Sequence, residues 1–321
     1  MNGDMWPSLI LQEWWPTYAT LHRWTQIVGK TRLALTPFEN HWWNAALYVT
    51  PHGLGTSAIP CDAGLFEIEL DFLFDALTVR TSEAEERTLR LESKSVAEFY
   101  AEYREMLESL GIRPHIVATP NELPDATPFT EDTEHATYDG DAARRWWHAL
   151  VGADQLFKRF RARFSGKCSP SHFWWGAFDL ACTRFSGRKA PLHAAGIPNC
   201  PDYVVQEAYS RECISAGWWP GTAASPVAEA AFYAYAYPEP KGFDVASVRP
   251  SAAYYSKDLQ EWILPYDAVR AATDPDAIVM SFLQSTYDAG ARLANWDVET
   301  LGASLPEILD HHATGIRSFT R

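Results

Sequence analysis

The chain has 321 residues, 47% apolar and 14% aromatic, with 14 tryptophans. Aromatic rings bury about 150–250 Å² each, so a large, stiff core needs no covalent staples. A formal charge of −14 argues against a nucleic-acid partner and against anionic lipid, since both are held by basic surface. Five cysteines, at 61, 168, 182, 200 and 213, show neither CxxC spacing nor flanking histidines, so reduced thiols are expected rather than a disulfide frame or a zinc finger.

The stretch Met1 to Trp15 holds Asp4 and Glu13, no lysine or arginine and no long apolar run, unlike a secretory signal. No later run approaches the ~18 apolar residues of a membrane span. A cytoplasmic protein without membrane attachment is expected. The first unit, residues 1–118, opens with a helix capped near Thr20, in which Leu21, Trp24, Ile27 and Val28 recur at helical spacing. A β-rich region follows, from His41 to Thr50, around a turn at Pro51-His52-Gly53, and from Leu54 to Pro60. Phe66, Ile68, Leu70 and Phe72 then alternate with Glu67, Glu69 and Asp71, the pattern of a half-buried antiparallel strand. Leu77–Thr81 and Arg87–Leu91 continue the meander. Ser95 and Glu98 form a capping box, and Val96, Phe99, Tyr100, Tyr103, Leu107 and Leu110 make the buried stripe of a helix that Gly111 ends.

Residues 119–139, with Pro120, Pro124 and Pro128 and an acidic cluster at 131–134, read as an extended crossover; Ile116-Val117-Ala118 just before it could pair as a short strand. The second unit, residues 140–297, opens with a helix from Asp141 to Phe164 and continues in one long strand, His172 to Phe185. Residues 186–206 are an added Gly- and Pro-rich loop. Strands follow near Ala208–Ser215, Phe232–Tyr237, Ala252–Ser256 and Trp262–Tyr266, and Asp274-Pro275 starts a final amphipathic helix. Residues 298–321 form a C-terminal tail.

Two of five Trp-Trp doublets suggest an internal duplication. His41-Trp42-Trp43 answers to His172-Phe173-Trp174-Trp175, and Pro60 and Pro191 each lie 19 residues beyond the histidine. The expected fold is therefore α+β: two tandem, pseudo-symmetric helix–antiparallel sheet–helix units whose elements superpose. Their sheets either join edge to edge into one curved sheet, as in a helix-grip arrangement, or pack as layers.

Several stretches carry a likeness to a known family: Trp24 to Lys30, Phe164 to Pro170, Phe178 to Ala181 with Thr183 to Arg188, and Phe232 to Pro240. They resemble those of a bacterial domain-of-unknown-function family, number 5996, over roughly residues 10–295. The resemblance implies no activity and carries over no site residues.

The residues themselves suggest a small-molecule cleft, binding or enzymatic, in the second unit. Its floor would be Trp175, Tyr233 and Tyr235, with Asp179, Arg184, Tyr209 and Glu212 as polar contacts. Strand parity puts Asp179 on the face of Trp175 and opposite Arg184, and a plainer reading makes Asp179 one half of a structural Asp–Arg pair. Glu67, Glu69 and Asp71 could bridge a hard cation but read more simply as a solvated face. Lys158, Arg159, Arg161, Arg163 and Lys167 either form an anion-binding lip or pair with the acidic crossover. His41 and His172 could be a symmetric metal pair, although strand-entry histidines satisfied by backbone are simpler, and Asp310-His311-His312 resembles no rigid site. No metal and no cofactor are expected: P-loop, dinucleotide-binding, zinc-peptidase and nucleophile-elbow motifs are all lacking. The competing reading is a non-catalytic interaction protein whose aromatics are all core.

Overall fold

The central element is helix α1 (Leu11–Leu35), in which nearly every side chain from Thr17 to Arg32 is buried, polar ones included. Those polar groups are paired: Arg23 binds Asp125 at 2.8 Å and Asp132 at 2.9 Å, Tyr103 Oη donates to Thr31 Oγ1 at 2.7 Å, and His22 Nε2 meets the Gly176 carbonyl oxygen at 2.8 Å. The computed structural model describes residues 5–302, so Asp310, His311, His312 and most of the expected tail lie outside the described residues. Helix α1 begins well before Thr20, whose hydroxyl donates to the Pro16 carbonyl at 3.1 Å instead of capping. Pro16 costs the helix only one early hydrogen bond, so it does not break it.

The first sheet comprises β1 (Tyr48–Val49), β2 (Gly53–Gly55), β3 (Ile59–Cys61), β4 (Gly64–Asp71), β5 (Ala76–Thr81) and β6 (Glu86–Arg90). Its order is β1-β2-β4-β5-β6, with β3 also paired to β4, and all pairings are antiparallel. The alternation in β4 is realised: Phe66, Ile68 and Leu70 are buried while Glu67 is exposed. The acidic row is not a cation site. Arg80 pairs with Glu69 at 3.2 Å, and Asp71 turns inward to accept from the backbone N–H of Leu73 and Phe74, both at 2.9 Å. Helix α2 (Val96–Ser109) starts in the expected capping box, with Ser95 Oγ accepting from Glu98 N at 3.1 Å and Glu98 Oε2 from Ser95 N at 2.8 Å.

The crossover carries no strand at Ile116–Ala118, but it is anchored: Phe129 is fully buried and Asp132 sits between Arg23 and His135. Helix α3 (Gly140–Arg161) follows, capped by Asp139. Among the described residues no ion pair joins its basic residues to the crossover. Lys158 pairs within its own helix with Asp154, and Arg159 pairs with Asp276 at 3.1 Å.

The stretch read as one strand is a hairpin, β7 (His172–Trp174) and β8 (Asp179–Lys189), joined by a turn at 175–178 with Phe178 at φ 60°. Next come α4 (Asp202–Ala208), β9 (Arg211–Trp219), β10 (Ala231–Tyr237), β11 (Tyr254–Ser256), β12 (Glu261–Pro265), α5 (Tyr266–Arg270), α6 (Pro275–Leu293) and α7 (Val298–Leu301). The second sheet has the order β11-β12-β10-β9-β8-β7, and α3 and α6 pack on one of its faces. Helix α7 occupies positions expected to be tail, with Asp297 accepting from Thr300 N at 3.1 Å as its cap.

The sheets meet edge to edge. Leu47 N donates to Phe173 O at 2.9 Å and Phe173 N to Leu47 O at 2.8 Å, so β7 continues the edge formed at β1. One continuous apolar core runs through both halves. The matched His–Trp spacing, however, falls on different local structures. His41 and Trp42 lie in a 3-10 turn (Asn40–Ala45) with φ of 59° at both, whereas His172–Trp174 is strand. The sheet orders also differ, because β12 inserts between β10 and β11.

Candidate functional site

The face of the second sheet turned away from α3 and α6 floors a cavity of about 400 Å³. Antiparallel register aligns its side chains in rows, since cross-strand partners share a face. One row is Trp174 opposite Asp179, and a second is Ala181, Gly217, Tyr233 and Ile263. A third is Thr183, Ser215 and Tyr235. Glu261 enters from the first residue of β12. The roof comes from elsewhere: Trp42 and Trp43 from the 3-10 turn, Glu122 from the crossover, and Ile197, Cys200 and Val204 from the inserted loop and α4. The Gly- and Pro-rich insertion thus closes the cavity.

Two glycines make room for its polar groups. A Cβ on Gly217 would lie 2.3 Å from the Tyr233 hydroxyl, so the Tyr233 ring crosses the sheet only because Gly217 is bare; its hydroxyl then donates to Asp179 Oδ2. A Cβ on Gly176 would stand 2.0 Å from Glu122 Oε1, and this glycine admits that carboxyl. Because Glu122 has a flexible side chain, Gly176→Ala should fold with little loss of stability yet push the carboxyl aside. Its expected signature is a melting temperature close to wild type together with weakened binding of any cavity ligand, measured by calorimetry on both proteins.

Three carboxyls define the electrostatics. Burial pushes Asp179 up to about 7 even though the Tyr233 hydroxyl bond opposes it. Burial, then the charge of Asp179, pushes Glu122 up to about 7 and Glu261 up to about 8. All three therefore change protonation near neutral pH, the range in which a carboxyl works as both acid and base. Among the described residues no lysine or arginine lines the cavity. Among the described residues no ion pair involves any of the three, and Glu122 and Glu261 have no side-chain hydrogen-bond partner. The neutral hydroxyls pair with one another, Tyr209 with Tyr235 at 2.9 Å and Thr183 with Ser215 at 2.9 Å, and each pair keeps one O–H that the bond within it does not use.

The tryptophan doublet of β9 divides between faces. Trp218 is fully buried beneath the sheet, while its neighbour Trp219 is half-buried at the cavity wall. Trp42, Trp43 and Trp174 are likewise half-buried there. Aromatic planes on several sides of an acidic space can hold flat or cationic groups.

Of the seven residues expected from sequence, Asp179, Tyr209, Tyr233 and Tyr235 line this cavity. Trp175 does not: the hairpin turn rotates it under α1, where Nε1 donates to the Ala45 carbonyl at 2.8 Å. Arg184 lies on the helix side of β8, its guanidinium 3.4 Å from the Phe160 ring centre. Glu212 binds Arg188 at 2.6 Å away from the cavity. Asp179 and Arg184 are thus not a pair. Tyr209 reaches the wall from the end of α4 rather than from a strand.

The histidines also part from a metal reading. His41 Nδ1 meets the Ala208 carbonyl oxygen at 3.0 Å, and His172 is buried among Trp43, Tyr48 and Trp174, which pushes its pKa down to about 3. Among the described residues no group of three or more His, Cys, Asp or Glu side chains is placed to hold a metal ion. Nor is any helix there long and apolar enough to cross a membrane.

A family model described as a family of unknown function, DUF5996, matches residues 6–303. The chain belongs to the DUF5996 family. In this DUF5996 protein every cavity residue, from His41 to Ile263, lies within the matched span. No curated protein and no solved structure matches the chain.

Proposed function

We propose that this DUF5996 protein binds a small molecule in the cavity of its second sheet and exchanges protons with it through Asp179, Glu122 and Glu261. The observation that carries the reading is the convergence of three carboxyls on one space with no cationic side chain among the described residues to meet them. A chain gains nothing in folding from such an arrangement, because each buried carboxyl costs stability unless paired. The space is of ligand size, mostly apolar with a few polar groups, and roofed by the crossover, where pockets favour domain junctions. Four half-buried tryptophans facing it weigh against a protein whose aromatics are all core. Acid–base chemistry is the enzymatic form of this reading, with Asp179 placed by Tyr233. Five free cysteines suit a reducing, cytoplasmic setting.

A fragment screen by thermal shift tests the site when run on wild type and on Ala181→Phe, which fills the floor beside Asp179. Hits should stabilise wild type and lose their effect in the filled variant, whose own melt reports that it still folds. Hits that act equally on both proteins, or no hits at all, would count against a binding cavity.

A further inference from the structure

We propose, building on the binding site above, that its ligand is an organic cation: an alkylammonium or quaternary ammonium group carried on an apolar body. Charge decides the sign. Among the described residues every formally charged side chain lining the cavity is acidic, namely Asp179, Glu122 and Glu261. An anion would meet three carboxyls and no guanidinium or ammonium. Lys30 and Lys167, which are not lining residues, are engaged: Lys30 Nζ donates to Asn121 Oδ1, and Lys167 lies 5.0 Å over the rings of both Trp43 and Phe185. A neutral, hydroxyl-rich ligand is poorly served as well. Among the described residues the lining holds no asparagine or glutamine, and the Thr183–Ser215 and Tyr209–Tyr235 pairs each use one of their two O–H donors internally, which leaves few donors for a polyol. A bare metal ion lacks its ligand cluster among the described residues.

An organic cation answers each of these features. Tryptophan faces attract cations more strongly than other rings, most of all where water is excluded, and beside Trp43, which already carries Lys167, the rings of Trp42, Trp174 and Trp219 line the space. Carboxyls set apart around a space can neutralise one diffuse charge without any of them having to coordinate it. The apolar body would lie against Ala181, Val204 and Ile263. A cation entering at neutral pH displaces protons from these carboxyls, so binding is coupled to proton release.

Benzyltrimethylammonium and its uncharged isostere neopentylbenzene share shape and differ in charge, so their calorimetric comparison at pH 8.5 isolates the claim. The cation should bind wild type at least tenfold more tightly than the isostere. The double variant Glu122→Gln/Glu261→Gln, checked for a cooperative melt, should reduce that preference to less than threefold. Equal binding of both probes to wild type, abolished by Ala181→Phe, would overturn the cation while leaving the site standing. Failure of both probes beside fragment hits that Ala181→Phe abolishes would do the same. If no probe or fragment distinguishes wild type from Ala181→Phe, cation and site fall together.

Discussion

Asp179→Asn should be no less stable than wild type at pH 5 and more stable than wild type at pH 8. A carboxyl whose folded pKa is raised from 3.8 to about 7 stays protonated in the folded state while the unfolded chain has already ionised. The unfolded state then binds fewer protons, so stability falls as pH rises between those two values and is level above the higher one. One such group costs up to about 1.4 kcal/mol per pH unit. Water reaching the cavity tempers that, and a net gain on the order of 1–2 kcal/mol for the asparagine at pH 8 is reasonable. The substitution also removes the charge that helps hold up Glu122 and Glu261, so the pH dependence of the variant should flatten beyond the loss of one group. Denaturant melts at the two pH values measure this. A loss of roughly 3–5 kcal/mol would instead be the cost of orphaning a buried cation, and the position of Arg184 across the sheet removes the reason to expect it. A wild type and variant with parallel pH profiles would mean that Asp179 ionises normally in the folded state.

What the sequence made legible follows from how local each signal is. The alternation of Phe66 to Phe72, the Ser95/Glu98 box and the Asp274-Pro275 start depend on neighbours a few residues apart, and the structure realises all three. Asp179 stood out because a carboxylate amid apolar strand residues needs an explanation wherever the strand goes. Arg184 drew notice for the same reason, but its face is set by the parity of one strand. The turn at 175–178 breaks the parity count upstream of Asp179, exchanging the expected places of Trp174 and Trp175. Glu122 sits in a proline-rich crossover with no periodicity to read, and it reaches the cavity only because the chain wraps α1. Glu261 opens a short strand, where a charged residue is commonplace. Raised pKa values arise from burial by elements distant in sequence, so identity alone does not reveal them. The His–Trp match shows the opposite limit: like residues at like spacing take up a left-handed turn in one half and a strand in the other, so the match does not by itself carry a duplication.

Replacing Arg184 with alanine should cost about 3 kcal/mol or more, yet Arg184→Met should fold within about 1 kcal/mol of wild type. The side chain is fully buried, its guanidinium 3.4 Å from the Phe160 ring centre, 4.3 Å from that of Tyr287 and 5.1 Å from that of Phe164. It donates to the Phe160 carbonyl near the end of α3, tying β8 to that helix. No carboxylate pairs with it among the described residues, two of its nitrogens lack a partner, and burial pulls its pKa down to about 10. The aromatic contacts and the carbonyl thus offset a large desolvation penalty. Alanine discards the contacts and leaves a void between strand and helix, whereas methionine keeps most of the volume and removes the desolvated charge. Since Arg184 faces away from the cavity, neither variant should change ligand affinity by more than the scatter of the measurement, provided it is folded. Chemical melts alongside calorimetry separate the two quantities. A methionine variant with native stability but with ligand binding lost, as in Ala181→Phe, would return Arg184 to the site and require the sheet to transmit its charge from one face to the other.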